Sequence, residues 1–166
     1  MGNNSNNDKN QISNKFYINK NNKIYIKRTN EPYPNETGDL KHFHNTFEIW
    51  HLLEGECNAF INDRVVQVSR DTLLLINKNT IHKILTETQK TPERIVIEFK
   101  KKFLQNFLSP SMVENLLNCF EKNIYSIKLT SDKQSVLEKT LFKSITEYKI
   151  QKKYCKSCMC DLLSEL

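Results

Sequence analysis

The clearest periodicity lies between Lys41 and Phe99, where apolar residues come in short runs separated by polar turns. "FEIWHLLEG" ends in a glycine turn, and "ECNAFI" meets "VVQV" across the polar spacer "NDR", a hairpin pattern. "RDTLLLINKNT" reads as a buried strand and a polar loop, and "IHKILTET" and "RIVIEF" close the series. Upstream, "KFYINKNNKIYIKR" supplies two further runs of β character. Many short strands at close spacing predict an antiparallel sandwich or barrel rather than alternating strands and helices.

Beyond Phe99 the apolar residues move to helical spacing. "KKFLQNFL" and "PSMVENLLNCFEKN" predict helices, the second capped by Ser109 with Pro110 in its first turn. Thr130 or Ser131 opens the next helix, whose stripe runs Leu137, Leu141, Ile145, Tyr148. A last helix carries Tyr154, Cys158, Leu162 and Leu166 on one face, with Cys155, Met159 and Leu163 beside it. These stripes suit a dimer contact, and the same stripes would serve to pack against the barrel. The chain closes on "DLLSEL" without a glycine or proline stop, which reads as an end cut rather than finished. At the other end, "MGNNSNNDKNQISNK" is nearly free of apolar residues and predicts a disordered tail. The resulting division is a tail over 1–15, a β region over 16–100 and a helical region over 101–166.

The 166 residues suffice for one sizeable domain. The formal net charge of +6 comes from scattered lysines, Lys100 to Lys102 apart, so it reads as a solvated surface rather than a nucleic-acid stripe. No apolar run approaches a membrane span and the N-terminus has no signal-peptide core, which predicts a cytoplasmic protein without a membrane partner. Five cysteines, an odd number, predict free thiols in a reducing compartment. Cys155, Cys158 and Cys160 in "CKSCMC" lack a nearby fourth ligand and fall on a predicted helix, so they read as buried thiols rather than a zinc site.

Candidate chemistry concentrates in "HFHNTFEIWHLLEGE", His42 to Glu56. Residues of equal parity on a strand share a face, so on a continuous strand His42, His44 and Glu48 look into one space that His82 reaches from a neighbour. A bulge at Asn45–Thr46 would break that register. His51 has the opposite parity and is excluded. Trp50 and Leu52 share the inward face, where Trp50 serves either as a stacking surface for a flat ligand or as core. Three imidazoles and a carboxylate suit a divalent iron, manganese, nickel or zinc ion, and equally a hydrogen-bonded network that shapes a pocket without metal. Spacing does not separate the two.

"HFHNTFEIWHLLEGE" followed by "NDRVVQVSRDTLLLINKNTIH" resembles the cupin barrel in the form used as the sensor half of AraC/XylS-type transcription regulators. His42, His44, Glu48, Gly55, Asp71 and His82 match that pattern, while Arg70 replaces its turn glycine and Lys78 its proline. Both departures bear on a metal more than on the fold. "PERIVIEFKKKFLQNFL" looks like the strand-to-helix exit of such sensors, and the helices after Ser131 look like their linker helices. The resemblance, from about residue 20 onward, implies a mainly β fold with C-terminal α: an antiparallel cupin (jelly-roll) barrel followed by a helical linker and dimerisation region. It implies a non-enzymatic effector-sensing domain, with His42, His44, Glu48, Trp50 and His82 around a small-molecule effector. It also implies a homodimer through Leu137, Leu141, Ile145, Tyr148, Leu162 and Leu163, and DNA contact through a C-terminal domain not in this chain. The resemblance fixes no cofactor, and His42, His44, Glu48 and His82 could hold a divalent metal. The alternative is a stand-alone metal-dependent cupin enzyme of oxygenase or sugar-isomerase type.

Overall fold

The computed structural model describes residues 13–18, 24–30, 41–85, 92–121 and 125–150. Among these residues nine strands and three helices follow in order: β1 (Ser13–Ile18), β2 (Ile24–Thr29), β3 (Phe47–Leu52), β4 (Glu56–Ile61), β5 (Arg64–Ser69), β6 (Thr72–Ile76), β7 (His82–Leu85), β8 (Arg94–Phe99), α1 (Lys101–Gln105), α2 (Pro110–Glu121), β9 (Ser126–Lys128) and α3 (Ser131–Ile150). They form a six-stranded sheet ordered β1-β2-β8-β3-β6-β9 and a three-stranded sheet ordered β5-β4-β7, with all pairings antiparallel. This is the mainly β barrel with C-terminal helices that the sequence predicts.

Three layers result, and burial patterns say why. In β4, Cys57, Ala59 and Ile61 are buried and their neighbours are not, the alternation of a strand with one face to water. In β3 and β6 every residue is buried. Their even-numbered residues, Trp50, Leu52, Leu74 and Ile76, meet Cys57, Ala59, Ile61 and Val68 between the sheets. The odd-numbered ones, Phe47, Ile49, Leu73 and Leu75, join a second core with Phe103, Leu104, Val113, Leu116, Leu117 and Phe120 of the helices. The continuous apolar run "TLLLI" is therefore a strand covered on both sides.

Turn chemistry fixes the ends. Gly55, between β3 and β4, has φ of +79°, a conformation that costs glycine little. Asn62 takes φ of +54° in the two-residue β4–β5 turn, which asparagine tolerates. Arg70, at the position of the family glycine, is not among the residues with positive φ, so its turn has no need of one. The Ser109 hydroxyl accepts from Met112 N–H ahead of Pro110, and Thr130 caps α3 by accepting from Lys133 N–H.

Two expectations about the helical region are corrected. The boundary at residue 100 does not divide strands from helices, because β9 returns to pair with β6 through Thr72↔Lys128 and Leu73↔Ile127. Strand structure also begins at Ser13, upstream of the expected start at 16. The second correction concerns Leu137, Leu141 and Ile145: all three are buried in the chain's own core against the barrel, so they are not an open dimerisation face. The side chain of Tyr148, and Leu162, Leu163, Cys155, Cys158 and Cys160 altogether, lie outside the described residues, as do residues 1–12 of the expected tail.

A polar clasp accompanies this apolar seat. Glu138 of α3 receives two hydrogen bonds from Arg70 (Nε 3.2 Å, Nη2 2.9 Å) and one from Gln134 (2.9 Å), and its Oε1 lies 3.3 Å from His51 Nε2. Burial opposes ionisation, yet Arg70, Gln134 and His51 together hold the Glu138 carboxyl down to about 2. A second tie sets the Arg28 guanidinium 5.0 Å from the Phe142 ring centre.

Two outcomes are expected. Leu141, 1% exposed, should cost about 2–5 kcal/mol as Leu141→Ala in urea unfolding, whereas an outward-facing stripe would cost almost nothing. The folded pKa of Glu138 lies below its ordinary 4.5, so its stabilisation is complete above that value and is lost as pH falls through about 2. The urea midpoint of the wild type should therefore converge on that of Glu138→Gln across that acid range.

Candidate functional site

The site gathers where β3 and β7 begin. Asn45 and Thr46 bend the chain ahead of β3, so the predicted continuous strand is broken there. What holds residues 42–44 in place is backbone pairing to the β6–β7 turn. His42 and His82 exchange N–H···O bonds of 3.1 and 2.9 Å, and Asn79 N–H donates to the His44 carbonyl at 2.7 Å. Asn79 does so with φ of +60°, in the turn where Lys78 stands.

This brings together three of the four expected ligating groups. His44 Nε2 lies 2.6 Å from Glu48 Oε2, and His82 Nε2 lies 3.5 Å from the same oxygen. Ligand atoms of His44, Glu48 and His82 all fall within 4.8 Å of one another. His42 is the exception: it is exposed, and its ring packs 4.2 Å from that of His82, beside the cluster rather than in it.

Each clustered imidazole is oriented by its other nitrogen. His82 Nδ1 donates to the Thr80 carbonyl at 2.9 Å, and His44 Nδ1 to the Thr46 carbonyl at 3.0 Å. Those bonds turn both Nε2 atoms toward Glu48. His82 Nε2 is buried there without a hydrogen bond among the described residues, the carboxylate lying 3.5 Å away.

Electrostatics follow from the geometry. Burial works against the charge on Glu48, but the His44 hydrogen bond and the neighbouring His82 and His44 rings hold its carboxyl down to about 2. Burial likewise disfavours the His44 imidazolium, and the Glu48 hydrogen bond and charge, with help from Glu98, raise its pKa all the same. His42 goes the other way, lowered by burial and by His82. The cluster thus holds a short, charge-assisted His44–Glu48 bond beside an unused imidazole nitrogen.

Glu98 is the member that sequence reasoning missed. It sits opposite Glu48 in the β3–β8 register and accepts from the Thr46 hydroxyl at 3.1 Å, the same hydroxyl that lies 2.8 Å from His44 Nδ1. Burial, and then the Glu48 charge, raise its pKa. The signal was its place in "RIVIEF", unreadable until the register with β3 is known. Trp50 faces the barrel interior as its parity requires, but at 1% exposure it is packed core without an open ring face, which corrects its assignment as a stacking surface. His51 points to the opposite face, toward α3.

A family model described as the AraC-like ligand binding domain matches residues 30–136. Among solved structures, a variant of apo ToxT from Vibrio cholerae is similar at a TM-score of 0.53 and 18% identity, over 93% of this chain and 53% of that one. The AraC-like transcriptional activator CuxR is similar at a TM-score of 0.54 and 9% identity, over 85% of this chain and 50% of that one. A cupin family protein with a double-stranded β-helix fold from Methanocaldococcus jannaschii also matches, at a TM-score of 0.43 and 14% identity, over 61% of this chain and 90% of that one. This chain spans about half the length of the two regulators, and at these identities the likeness is one of fold. No curated protein sequence matches it.

Because Glu48 is what lifts His44, replacing it with glutamine should move the His44 pKa down. An NMR titration of the imidazole carbon signals reads this directly; an unmoved His44 would break the assignment of that bond.

Proposed function

The chain belongs to the AraC-like ligand binding domain family, and from that premise we propose that it is the effector-sensing half of an AraC-type transcription regulator. A small molecule binds at the His44–Glu48–His82 cluster, with His42 at its rim and Trp50 forming the packed wall beneath. The domain signals to a DNA-binding domain outside this chain, and DNA is met through that domain alone. The observation that carries the reading is the convergence of two oriented imidazole nitrogens on one buried carboxylate, one of them, His82 Nε2, without a hydrogen-bond partner among the described residues. A buried polar atom without a bond is costly, so a ligand that completes it gains free energy at this site in particular.

The protein acts in the cytoplasm and as a homodimer. No helix among the described residues is long and apolar enough to cross a membrane. With Leu137, Leu141 and Ile145 committed to the chain's own core, other residues make the dimer contact, and the stripe bearing Leu162 and Leu163 is the candidate.

The same cluster supports one further element of this reading, a divalent cation. The donor set is two neutral-capable imidazoles and a carboxylate, both imidazoles are oriented by backbone carbonyls, and His82 Nε2 awaits an electrophile. His44, Glu48 and His82 would hold the ion. Bound there, it would supply Lewis acidity toward an oxygen of the ligand. This donor set also favours the second reading, a metal-dependent cupin enzyme, in which a bound ligand would be turned over rather than sensed.

The test is a thermal-shift screen of metabolites, with each hit incubated to look for product. An effector at about a hundred times its Kd should add about 2.7 kcal/mol of stability, lost in folded His82→Ala and Glu48→Gln. A hit that stabilises both variants as well as the wild type binds elsewhere and sinks the site; a hit consumed by the protein moves the enzyme forward.

A further inference from the structure

We propose that the Glu138 carboxylate is a latch that couples the seating of α3 to occupancy of the His44–Glu48–His82 cluster, with His51 of β3 as the positioning residue between them. The proposal rests on the sensing reading above and adds the route by which sensing leaves the barrel.

β3 is one short strand with a job on each face. Glu48, near its start, faces the barrel interior and receives both cluster histidines. His51, near its end, faces α3, and its ring is 1% exposed. Both residues are paired to the same two strands, β6 and β8, Glu48 opposite Ile76 and Glu98, His51 opposite Leu73 and Ile95. A ligand that draws on Glu48 therefore acts on the strand that sets the position of His51.

The chemistry of His51 makes that position matter. A carboxylate accepts and does not donate, so Nε2 carries the proton shared with Glu138. Burial lowers the pKa of this histidine, and the neutral ring then has Nδ1 without a hydrogen bond among the described residues. Glu138 is the one side chain that satisfies this ring among the described residues. If α3 moves away, Nε2–H is left buried and unbonded as well. Seating is thus favoured in a discrete arrangement rather than over a graded range.

The outer half of the latch is built to release. Arg70 is 59% exposed at its side chain, so its bond to Glu138 competes with water. A groove of about 390 Å³ opens beside it, lined by Arg70, Gln134, Glu138 and Phe142 among others. Glu138 Oε1 is shared by His51, Arg70 and Gln134, from three different places in the fold. A small displacement of β3 changes how that one oxygen is divided. Arg70 occupies the turn position where the family pattern has glycine, and it reaches α3 as glycine cannot.

The experiment is hydrogen exchange on the 166-residue chain, read over residues 131–146, with zinc ion as the probe and its affinity measured by calorimetry. Wild type is compared with Glu138→Ala, His51→Gln and the milder, surface variant Arg70→Ala. Zinc should change exchange in α3 of the wild type by about tenfold, less in Arg70→Ala, and not in Glu138→Ala or His51→Gln. Zinc affinity should shift between wild type and Glu138→Ala by the same factor, since coupling is reciprocal. Zinc that binds without altering α3 in the wild type, or alters it equally in Glu138→Ala, overturns the latch and leaves the site reading intact. If zinc does not bind, the cation reading fails, and Glu48→Gln replaces the probe. An α3 response to that substitution that vanishes when combined with Glu138→Ala supports the latch; no response overturns it.

Discussion

A sheet buried on both faces needs two covers, and in this protein the covers come from distant parts of the chain. β3 and β6 have no residue facing water. One cover is the three-stranded sheet, supplied locally by β4, β5 and β7. The other is the helical layer, whose α3 begins at Ser131, well beyond the last strand of the barrel interior. The stability of the barrel and the docking of the helices are therefore one quantity. Removing the helices would expose Phe47, Ile49, Leu73 and Leu75 together.

The same constraint organises the polar groups. A strand with two buried faces can carry a polar residue only where a partner waits, and β3 carries two, Glu48 and His51. Glu48 is met by histidines from the approach to β3 and from β7, and His51 by a carboxylate on α3. Nonpolar burial sets where these groups lie, and their hydrogen bonds set which neighbours must be present. Cys57, buried between the sheets, shows the contrasting case: burial pushes its thiol up to about 12, so it stays protonated and behaves as packing.

Alternation of faces along β3 and β4, the Asn62 turn and the caps at Ser109 and Thr130 were legible in the sequence because each is decided within a few residues; His44 meets Glu48 as expected, but across the bend at Asn45–Thr46 rather than along a continuous strand. The departures are non-local. Amphipathicity in Leu137, Leu141 and Ile145 says that the stripe is covered, not by what, and the cover proves to be the barrel of the same chain. Glu98 became part of the cluster through a register that no single strand encodes. His51 was rightly kept out of the interior by parity, but its partner lies 87 residues away. His42 fell to the rim because Asn45 and Thr46 bend the chain, so parity counted from it across that bend does not carry into β3. Trp50 illustrates a different limit: direction was readable, free space around the ring was not.

β9 is three residues long, yet it lies between α2 and α3 and pairs along β6, the last place in the six-stranded sheet. Without it, the backbone of "TLLLI" would form an open margin, and such a margin invites pairing with another chain. Lys128 adds a charge at that border, bound to Asp71 at 2.8 Å. The segment that leads into α3 thus also guards that margin against pairing with another chain.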